Sequence, residues 1–165
     1  HMKEPWEHLL LTHAESVFKY LLKIGVKKED AEDIVQESII KTIECLPQID
    51  VSYLRAWLFK VAIHRYYTLY KQQKRTAFLS DDELTTIQGA LNIEEELLQH
   101  EQHANLREAL QGLQPNFQQL LLMKYFMNLS YKEIANVLDV TESHVKTYLQ
   151  RARKALRTKW EEFDG

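Results

Sequence analysis

Cysteine, glycine, proline and long apolar runs are all scarce in this sequence. Cys45 is the single cysteine in 165 residues, so one chain has neither a disulfide pair nor the ligands of a cysteine-based zinc or iron–sulfur site. This favours a reducing, intracellular compartment. Four glycines and three prolines are too few to punctuate a many-stranded β fold. No apolar run approaches the roughly 18 residues of a membrane span, so no direct membrane insertion is expected.

Apolar residues recur at steps of three and four along most of the chain, and this period predicts an all-α protein. His1 and Met2 are typical of an expression tag, and no signal peptide pattern follows them. The charge, −3 in total, is unevenly distributed. Residues 53–75 carry six basic and no acidic side chains, whereas residues 76–104 carry seven acidic and no basic ones. Since local potential attracts phosphate whatever the net charge, the basic segments are candidate nucleic-acid surfaces.

Three helices are predicted in the first half. The first ends at Gly25, a residue that readily takes a left-handed C-terminal cap. The second has acidic residues at its start and stops before Pro47, and the third is capped by Ser52 and runs to about Arg75. The positions predicted to face inward are Trp6, Leu9, Leu10, His13, Val17, Tyr20, Leu21 and Ile24 in the first helix; Ala31, Ile34, Val35, Ser38, Ile39, Thr42, Ile43 and Leu46 in the second; and Leu54, Trp57, Leu58, Val61, Ala62 and Leu69 in the third.

The chain is expected to form two small helical domains, residues 1–75 and 93–165, joined by a flexible linker over residues 76–92. The linker prediction rests on an acidic, polar segment without a sustained helical stripe. In the second domain, one helix is predicted over residues 93–113. Another begins at Pro115 and ends at Asn128.

A helix-turn-helix is predicted over residues 129–156. Ser130 and Glu133 form a capping box at the start of its first helix, and Thr141 caps the second after a short turn at Asp139. With Val145, Leu149, Ala152 and Leu156 buried, the other side of the second helix can donate to bases and phosphates. The candidate DNA-binding residues on it are Ser143, His144, Lys146, Thr147, Gln150, Arg151, Arg153 and Lys154. An αα-hairpin with a basic solvated edge is the alternative.

Four motifs together carry a family resemblance. Residues 31–37 (AEDIVQE), 57–62 (WLFKVA), 129–135 (LSYKEIA) and 145–156 (VKTYLQRARKAL) resemble, in this order, the extracytoplasmic-function (ECF) group of sigma-70-type bacterial sigma factors. The resemblance implies a non-enzymatic, cytoplasmic subunit that directs core RNA polymerase to promoters, for a stress or envelope regulon. It also implies contacts with the β′ clamp coiled coil and the β flap, and an anti-sigma factor that can hold the protein at the membrane.

The resemblance also implies roles for residues of the first half. The surface that docks on the β′ clamp would comprise Asp33, Gln36, Glu37 and Lys41, and residues 46–53 would form a loop that captures an unstacked base. The residues expected to bind the minus-ten element are Arg55, Lys60, His64, Arg65, Tyr67, Tyr70, Lys71, Lys74 and Arg75. They combine phosphate neutralisers with rings that can stack on bases. The helix-turn-helix would read the minus-thirty-five element.

Three positions depart from the family pattern. His64 stands where the group usually has asparagine, Thr68 where it has aspartate and Lys71 where it has arginine, so promoter contacts there are open. Lysine cannot donate the two parallel hydrogen bonds that an arginine guanidinium provides, so Lys71 would contact phosphate as a point charge.

Two other function classes compete with the sigma-factor interpretation. An enzyme with a metal site at His100 and His103 has the wrong spacing for the zinc-protease motif, and no phosphate-binding glycine loop is present, so no catalytic residue, metal or cofactor is predicted. A helix-turn-helix regulator that binds DNA without polymerase fits the second half alone. Binding of promoter duplex with and without core polymerase discriminates it from a sigma factor.

Overall fold

Helices make up the regular secondary structure of the part of the chain that the structure describes. The computed structural model describes residues 5–70, 81–90 and 100–163, with only the main chain described for 81, 90 and 100–103. In chain order, the α-helices in these ranges are α1 (Pro5–Lys23), α2 (Lys28–Glu44), α3 (Leu54–Leu69), α4 (Asp81–Ala90), α5 (His100–Gln111), α6 (Pro115–Leu121), α7 (Tyr131–Leu138) and α8 (Glu142–Glu161). The prediction of an all-α protein is confirmed.

Helix α1 ends in the predicted left-handed cap. Gly25 has a φ of 92°, and its N–H donates to the Leu22 carbonyl while Val26 N–H donates to the Leu21 carbonyl, each at 3.0 Å. This pair of bonds is a Schellman motif, which satisfies two carbonyls that the helix end would otherwise leave unpaired. The chain therefore reverses sharply into α2.

Helix α2 buries two hydroxyl side chains. Ser38 donates to the Ile34 carbonyl at 2.6 Å and Thr42 to the Ser38 carbonyl at 2.7 Å, so each buried hydroxyl is satisfied within the helix. Ile43, predicted to face inward, is 45% exposed, and Ile40 is 56% exposed. Apolar residues spaced by three and four positions indicate which side of a helix is buried, but this spacing does not determine how wide the buried stripe is.

The start of α3 differs from the prediction. Ser52 does not cap this helix but lies in a short 3-10 turn (Val51–Tyr53), where its N–H donates to the Asp50 carboxylate at 3.0 Å. Leu54 begins α3, and no side chain caps it. The helix is described as far as Leu69, and residues 71–75 lie outside the described residues.

Helix α3 is buried on more than one side because it packs against α1, α2 and α7. Trp57 and Val61 are half-buried and Leu69 is 48% exposed, so three of its six predicted inward positions are wrong. Its buried residues are Leu54, Ala56, Leu58, Phe59, Ala62, Ile63 and Tyr66. A second stripe of apolar residues was therefore missed.

Helix α4 occupies most of the predicted linker. Leu84 and Ile87 are almost fully buried, and α4 packs against α5 and against a π-helical turn (Leu122–Phe126) that continues α6. Lys23 of α1 pairs with Glu83 at 2.8 Å. The prediction of a segment without a helix is thus wrong over residues 81–90, whereas the division into two domains stays a prediction.

Helices α7 and α8 form the predicted helix-turn-helix. Ser130 Oγ accepts from Glu133 N–H and Glu133 Oε1 accepts from Ser130 N–H, each at 3.0 Å, which completes the capping box. Asp139 ends α7 with a φ of 55°, and Thr141 Oγ1 accepts from His144 N–H at 3.1 Å to cap α8. Val145, Leu149, Ala152 and Leu156 are fully buried, as predicted.

The buried side chains of both halves form one continuous core. Among the described helices, none combines the length and the apolar character needed to cross a bilayer.

Candidate nucleic-acid interface

The outer side of α8 is the first candidate surface. Helix α8 begins directly after the capped turn. Val145 and Leu149 enter the core from one side of its first turns, so the opposite side of these turns faces away from the core. Seven of the eight predicted residues are exposed: Ser143, His144, Lys146, Thr147, Gln150, Arg151 and Lys154. Arg153 is the exception, because it is half-buried and donates to the Tyr125 hydroxyl at 2.9 Å.

Tyr148 lies on the same outer side and was missed. Its ring is 36% exposed, with its centroid 5.9 Å from the His144 ring and 5.9 Å from the Arg151 guanidinium carbon. Stacking of this kind orients both polar groups. The signal in the sequence is the spacing of four and then three residues from His144 to Tyr148 to Arg151, which places all three on one helix face.

Helix α3 is the second candidate surface, and Arg55 stands at its start. Its Nε donates to Glu133 Oε2 at 2.7 Å and its Nη2 to Glu133 Oε1 at 2.6 Å, a bidentate pair across the two halves of the chain. Nη2 also donates to the Asn128 carbonyl at 3.4 Å. Glu133 therefore serves the capping box of α7 and the contact with α3 at once.

Asp139 meets the middle of α3. Lys60 Nζ donates to Asp139 Oδ1 at 2.6 Å, and His64 Nε2 lies 3.8 Å from Oδ2 of the same carboxylate. Asp139 occupies the left-handed position in the turn, so the same residue shapes the turn and presents a carboxylate to α3.

The remaining described residues of the predicted minus-ten set also have partners inside the chain. Tyr67 donates to Gln119 Oε1, Tyr70 donates to Asp30, and Arg65 Nε lies 2.7 Å from Glu37 Oε2. All six of these residues are thus engaged. Lys71, Lys74 and Arg75 lie outside the described residues.

The pKa values around α3 follow from burial and pairing. Burial raises the pKa of the Glu133 carboxyl, but hydrogen bonds from Arg55 and Ser130 outweigh it and leave that pKa below its ordinary value. The hydrogen bond to Glu133 raises the pKa of Arg55. Burial, with a smaller contribution from Tyr66, raises the pKa of Tyr67 to about 12. The Arg55–Glu133 pair is therefore ionised and Tyr67 is a neutral donor across the physiological range.

Trp57 lines a cleft rather than the core. It borders a space of about 270 Å³ that is also lined by Tyr53, by Lys60 of α3, and by Lys132 and Asn136 of α7. The Lys132 ammonium lies 4.9 Å from the Tyr53 ring centroid. Two aromatic rings four residues apart with a lysine beside them suit stacking on a base. Tyr53 is the last residue of the predicted base-capturing loop (residues 46–53), and it is the loop residue that lines this cleft.

The predicted docking residues of α2 are all on its surface. Asp33, Gln36, Glu37 and Lys41 are exposed, and Ile40 lies among them with 56% of its surface exposed. Sequence reasoning missed Ile40, although an apolar residue off the buried stripe was the available signal.

Lys41 also faces α3. Together with Val61, His64, Arg65 and Thr68 it lines a cleft of about 260 Å³. Three of these side chains carry or can carry positive charge, and Thr68 adds a hydroxyl, so the cleft has the donor set for a phosphate.

The metal alternative has no support among the described side chains. Within the described ranges, no three histidine, cysteine, aspartate or glutamate residues gather in a way that could hold a metal ion. The side chains of His100 and His103, which raised the metal alternative, lie outside the described residues.

Comparison with known proteins gives matches to both halves. The family model for sigma-70 region 2 matches residues 9–76, and that for sigma-70 region 4 matches residues 103–156. The chain is 28% identical over 151 residues to the ECF RNA polymerase sigma factor SigM of Bacillus subtilis, covering 88% of each chain. It is 29% identical over 154 residues to the RNA polymerase sigma factor YlaC of the same organism, covering 92% of this chain and 89% of the relative.

Two solved structures share the fold. CnrH, solved in complex with the cytosolic domain of CnrY, matches with a TM-score of 0.65 and 20% identity over 95% of this chain and 88% of its own. The sigma factor RpoE from Bartonella quintana, solved with the anti-sigma factor NepR, matches with a TM-score of 0.62 and 17% identity over 94% of this chain and 96% of its own. Both neighbours were solved with a partner protein.

Proposed function

Because the chain is an alternative sigma factor of the ECF group of the sigma-70 family, we propose that it docks on core RNA polymerase through α2 and recognises promoter DNA through α3 and α8. The observation that carries this proposal is the exposure of seven predicted DNA-binding residues on one side of α8, beside a capped helix-turn-helix turn. A helix presented in this way fits the major groove.

On α8, arginine and glutamine can read base edges while lysine anchors phosphate. Arg151, stacked near Tyr148, is the proposed base reader of the minus-thirty-five element, since its fork matches the O6 and N7 acceptors of guanine. Lys146 and Lys154 neutralise phosphates. Arg153 is assigned instead to the fold, through its bond to Tyr125.

On α3, the proposed substrate is the single-stranded minus-ten element. Arg55, Lys60 and Arg65 supply charge, and Tyr67 and Tyr70 supply rings, with Lys71, Lys74 and Arg75 continuing the basic segment. We add Trp57 to this surface because it opens into a cleft beside Lys60 rather than into the core. We also add Lys41, which shares a cationic cleft with His64 and Arg65.

On α2, we propose that Asp33 and Gln36 contact the β′ clamp coiled coil, with Ile40 as an apolar centre among polar groups. Glu37 is bound to Arg65, so its replacement would disturb α3 as well. The test is a core polymerase pull-down with Asp33→Ala/Gln36→Ala, which should lose association while its circular dichroism stays unchanged. Glu15→Ala/Lys19→Ala, at two exposed α1 positions, is the control and should bind normally. Normal association of the α2 variant would refute the docking surface.

An anti-sigma factor is the proposed regulator, and the contact of the helix-turn-helix half with the β flap is proposed from the family alone. Support for the regulator comes from the structural neighbours, one of which was solved with an anti-sigma factor.

A further inference from the structure

A cavity of about 510 Å³, the α6–α8 cavity, lies between α6 and the outer side of α8. Apart from Tyr67 of α3, all the described residues that line it belong to the second half: Gln114, Asn116, Phe117, Gln119, Leu120, Met123, Leu138, Tyr148 and Arg151. Cavities that hold small molecules have volumes of about 300–1,000 Å³ and a mostly apolar lining with a few polar groups. Since Tyr148 and Arg151 are exposed, a ligand can enter this cavity from solvent.

Buried polar contacts hold the α6 wall of the cavity in place. Gln118 Nε2 donates to the Leu110 carbonyl at 2.7 Å and to the Leu113 carbonyl at 3.2 Å, which ties α6 to the end of α5 and to the connection after it. Gln119 is only 4% exposed, and its Oε1 accepts a hydrogen bond from the Tyr67 hydroxyl. The α6 wall is therefore positioned before any ligand binds.

Arg151 gives the α6–α8 cavity its charge. It is the one residue with a full charge among the described residues that line the cavity. Within the described ranges no carboxylate pairs with its guanidinium, whose central carbon lies 5.9 Å from the Tyr148 ring centroid. An arginine can donate two parallel hydrogen bonds to a carboxylate. The electrostatics of the cavity therefore favour an anion.

The rest of the lining narrows the class of anion. The rings of Tyr67, Phe117 and Tyr148 all border the cavity, and aromatic side chains pack favourably against another ring in offset or edge-to-face arrangements. One guanidinium neutralises one negative charge. A second charge on the ligand would be left unpaired beside apolar side chains, which costs free energy and disfavours a phosphate. The lining thus suits an aromatic compound with a single carboxylate.

We propose that the α6–α8 cavity binds a small aromatic monocarboxylate, with its ring among the three aromatic side chains and its carboxylate on Arg151. Such a ligand would compete with promoter DNA, because Arg151 is the proposed base reader of the minus-thirty-five element. This competition rests on the proposed function of α8, whereas binding of the ligand to the free chain does not. The ligand would act as an effector that lowers promoter affinity.

Two compounds that differ in charge test the site. Naphthoate and its uncharged amide, naphthamide, are each titrated into the full chain without polymerase, and ligand-detected NMR measures their affinities. Naphthoate should bind about tenfold more tightly than naphthamide, equivalent to about 1.4 kcal/mol, and Arg151→Gln should abolish this preference. Equal affinity of the two compounds for the wild type, or no binding of either at about 1 mM, would overturn the proposal.

Two further variants locate the bound compound. Asn116→Trp places a large side chain at an exposed position that lines the cavity, and it should abolish binding of both compounds. Lys28→Gln removes one positive charge from an exposed position of α2 outside the cavity, and it should bind naphthoate as the wild type does. Circular dichroism checks that both variants fold. If a folded Asn116→Trp variant binds naphthoate with wild-type affinity, the compound lies elsewhere and the proposal is wrong.

Holoenzyme assembled from the full chain and core polymerase tests the competition. Naphthoate at ten times its Kd should weaken binding of a promoter duplex about tenfold, and the same concentration of naphthamide should weaken it only about twofold. Unchanged promoter binding with naphthoate bound would refute the competition. Failure of the wild-type holoenzyme to bind promoter without any compound would refute the proposed function instead, and it would leave the binding results on the free chain unaffected.

Discussion

Glu133 has two roles, and substitutions can separate them. It completes the capping box with Ser130 and forms the bidentate ion pair with Arg55. Ser130→Ala removes the cap oxygen and keeps the ion pair. Glu133→Gln removes the charge and keeps an acceptor for the cap, and Glu133→Ala removes both contributions of the side chain.

The expected magnitudes differ among the three variants. Loss of an N-cap oxygen costs about 1 kcal/mol. Hydrogen bonds between charged groups contribute roughly 1.5–3 kcal/mol, and because Arg55 and Glu133 keep 31% and 19% of their side-chain surface exposed, we expect about 1–2 kcal/mol here. The free energy of unfolding should therefore fall by about 1 kcal/mol for Ser130→Ala, about 1–2 kcal/mol for Glu133→Gln and about 2–3 kcal/mol for Glu133→Ala.

Urea denaturation of the full chain, followed by circular dichroism, measures these differences. In thermal unfolding, each kcal/mol lost from the free energy of unfolding should lower Tm by roughly 2–4 °C in a chain of this size. The pKa of Glu133 lies below its ordinary value, so the contribution of its charge is fully present above about pH 4.5 and is lost as the pH falls through the lowered pKa. The difference between wild type and Glu133→Gln should shrink accordingly below that pH. If Glu133→Gln is as stable as the wild type at pH 7 and Glu133→Ala matches Ser130→Ala, the ion pair contributes nothing and the reasoning is wrong.

The remaining predictions concern the turn at Gly25, the half-buried His13 and the outer side of α8. Gly25→Ala should lower the free energy of unfolding by about 1 kcal/mol or more, because a Cβ is strained at a φ of 92°, and a melt no lower than that of the wild type would contradict this. Burial and then the charge of Arg55 lower the pKa of His13. The free energy of unfolding should therefore be highest above pH 6.5 and fall as the pH drops from there toward the lowered pKa. His13→Gln should flatten this decline, as measured by urea titrations at about pH 5.5 and 7.5. The last prediction is measured as holoenzyme binding to single-base promoter variants. Arg151→Ala should cost roughly 1–3 kcal/mol at one base pair, whereas Lys154→Ala should weaken binding to all promoters alike and reduce the slope of log affinity against log salt concentration by about 0.9. Equal effects of both variants on every promoter would refute this division.

Local signals in the sequence predicted the helix ends around the turn of the helix-turn-helix correctly. The capping box at Ser130, the Thr141 cap and the left-handed Asp139 all depend on residues within four positions of one another. Their hydrogen bonds form wherever the segment is placed, so no knowledge of the rest of the chain is needed. The buried face of α8 followed for the same reason, since it has one apolar side and one polar side.

Helix α4 shows where a local pattern was overlooked. Leu84 and Ile87 are a stripe of only two residues, and they become buried because α5 and the π-helical turn pack on them. The acidic run Asp81–Asp82–Glu83 at the helix start, favourable to the helix dipole, was the signal that could have found it.

By itself, the sequence determined the all-α class, the helix-turn-helix and the family, because periodicity, caps and motifs are properties of neighbouring residues. Only the tertiary structure decided which sides of α3 are buried, because three helices pack around it and a single stripe cannot describe that environment. It also decided that Arg55 and Lys60 meet Glu133 and Asp139, 78 and 79 residues further along the chain. Contacts at such separations depend on how helices are arranged in space, and the periodicity of each helix alone carries no information about that arrangement.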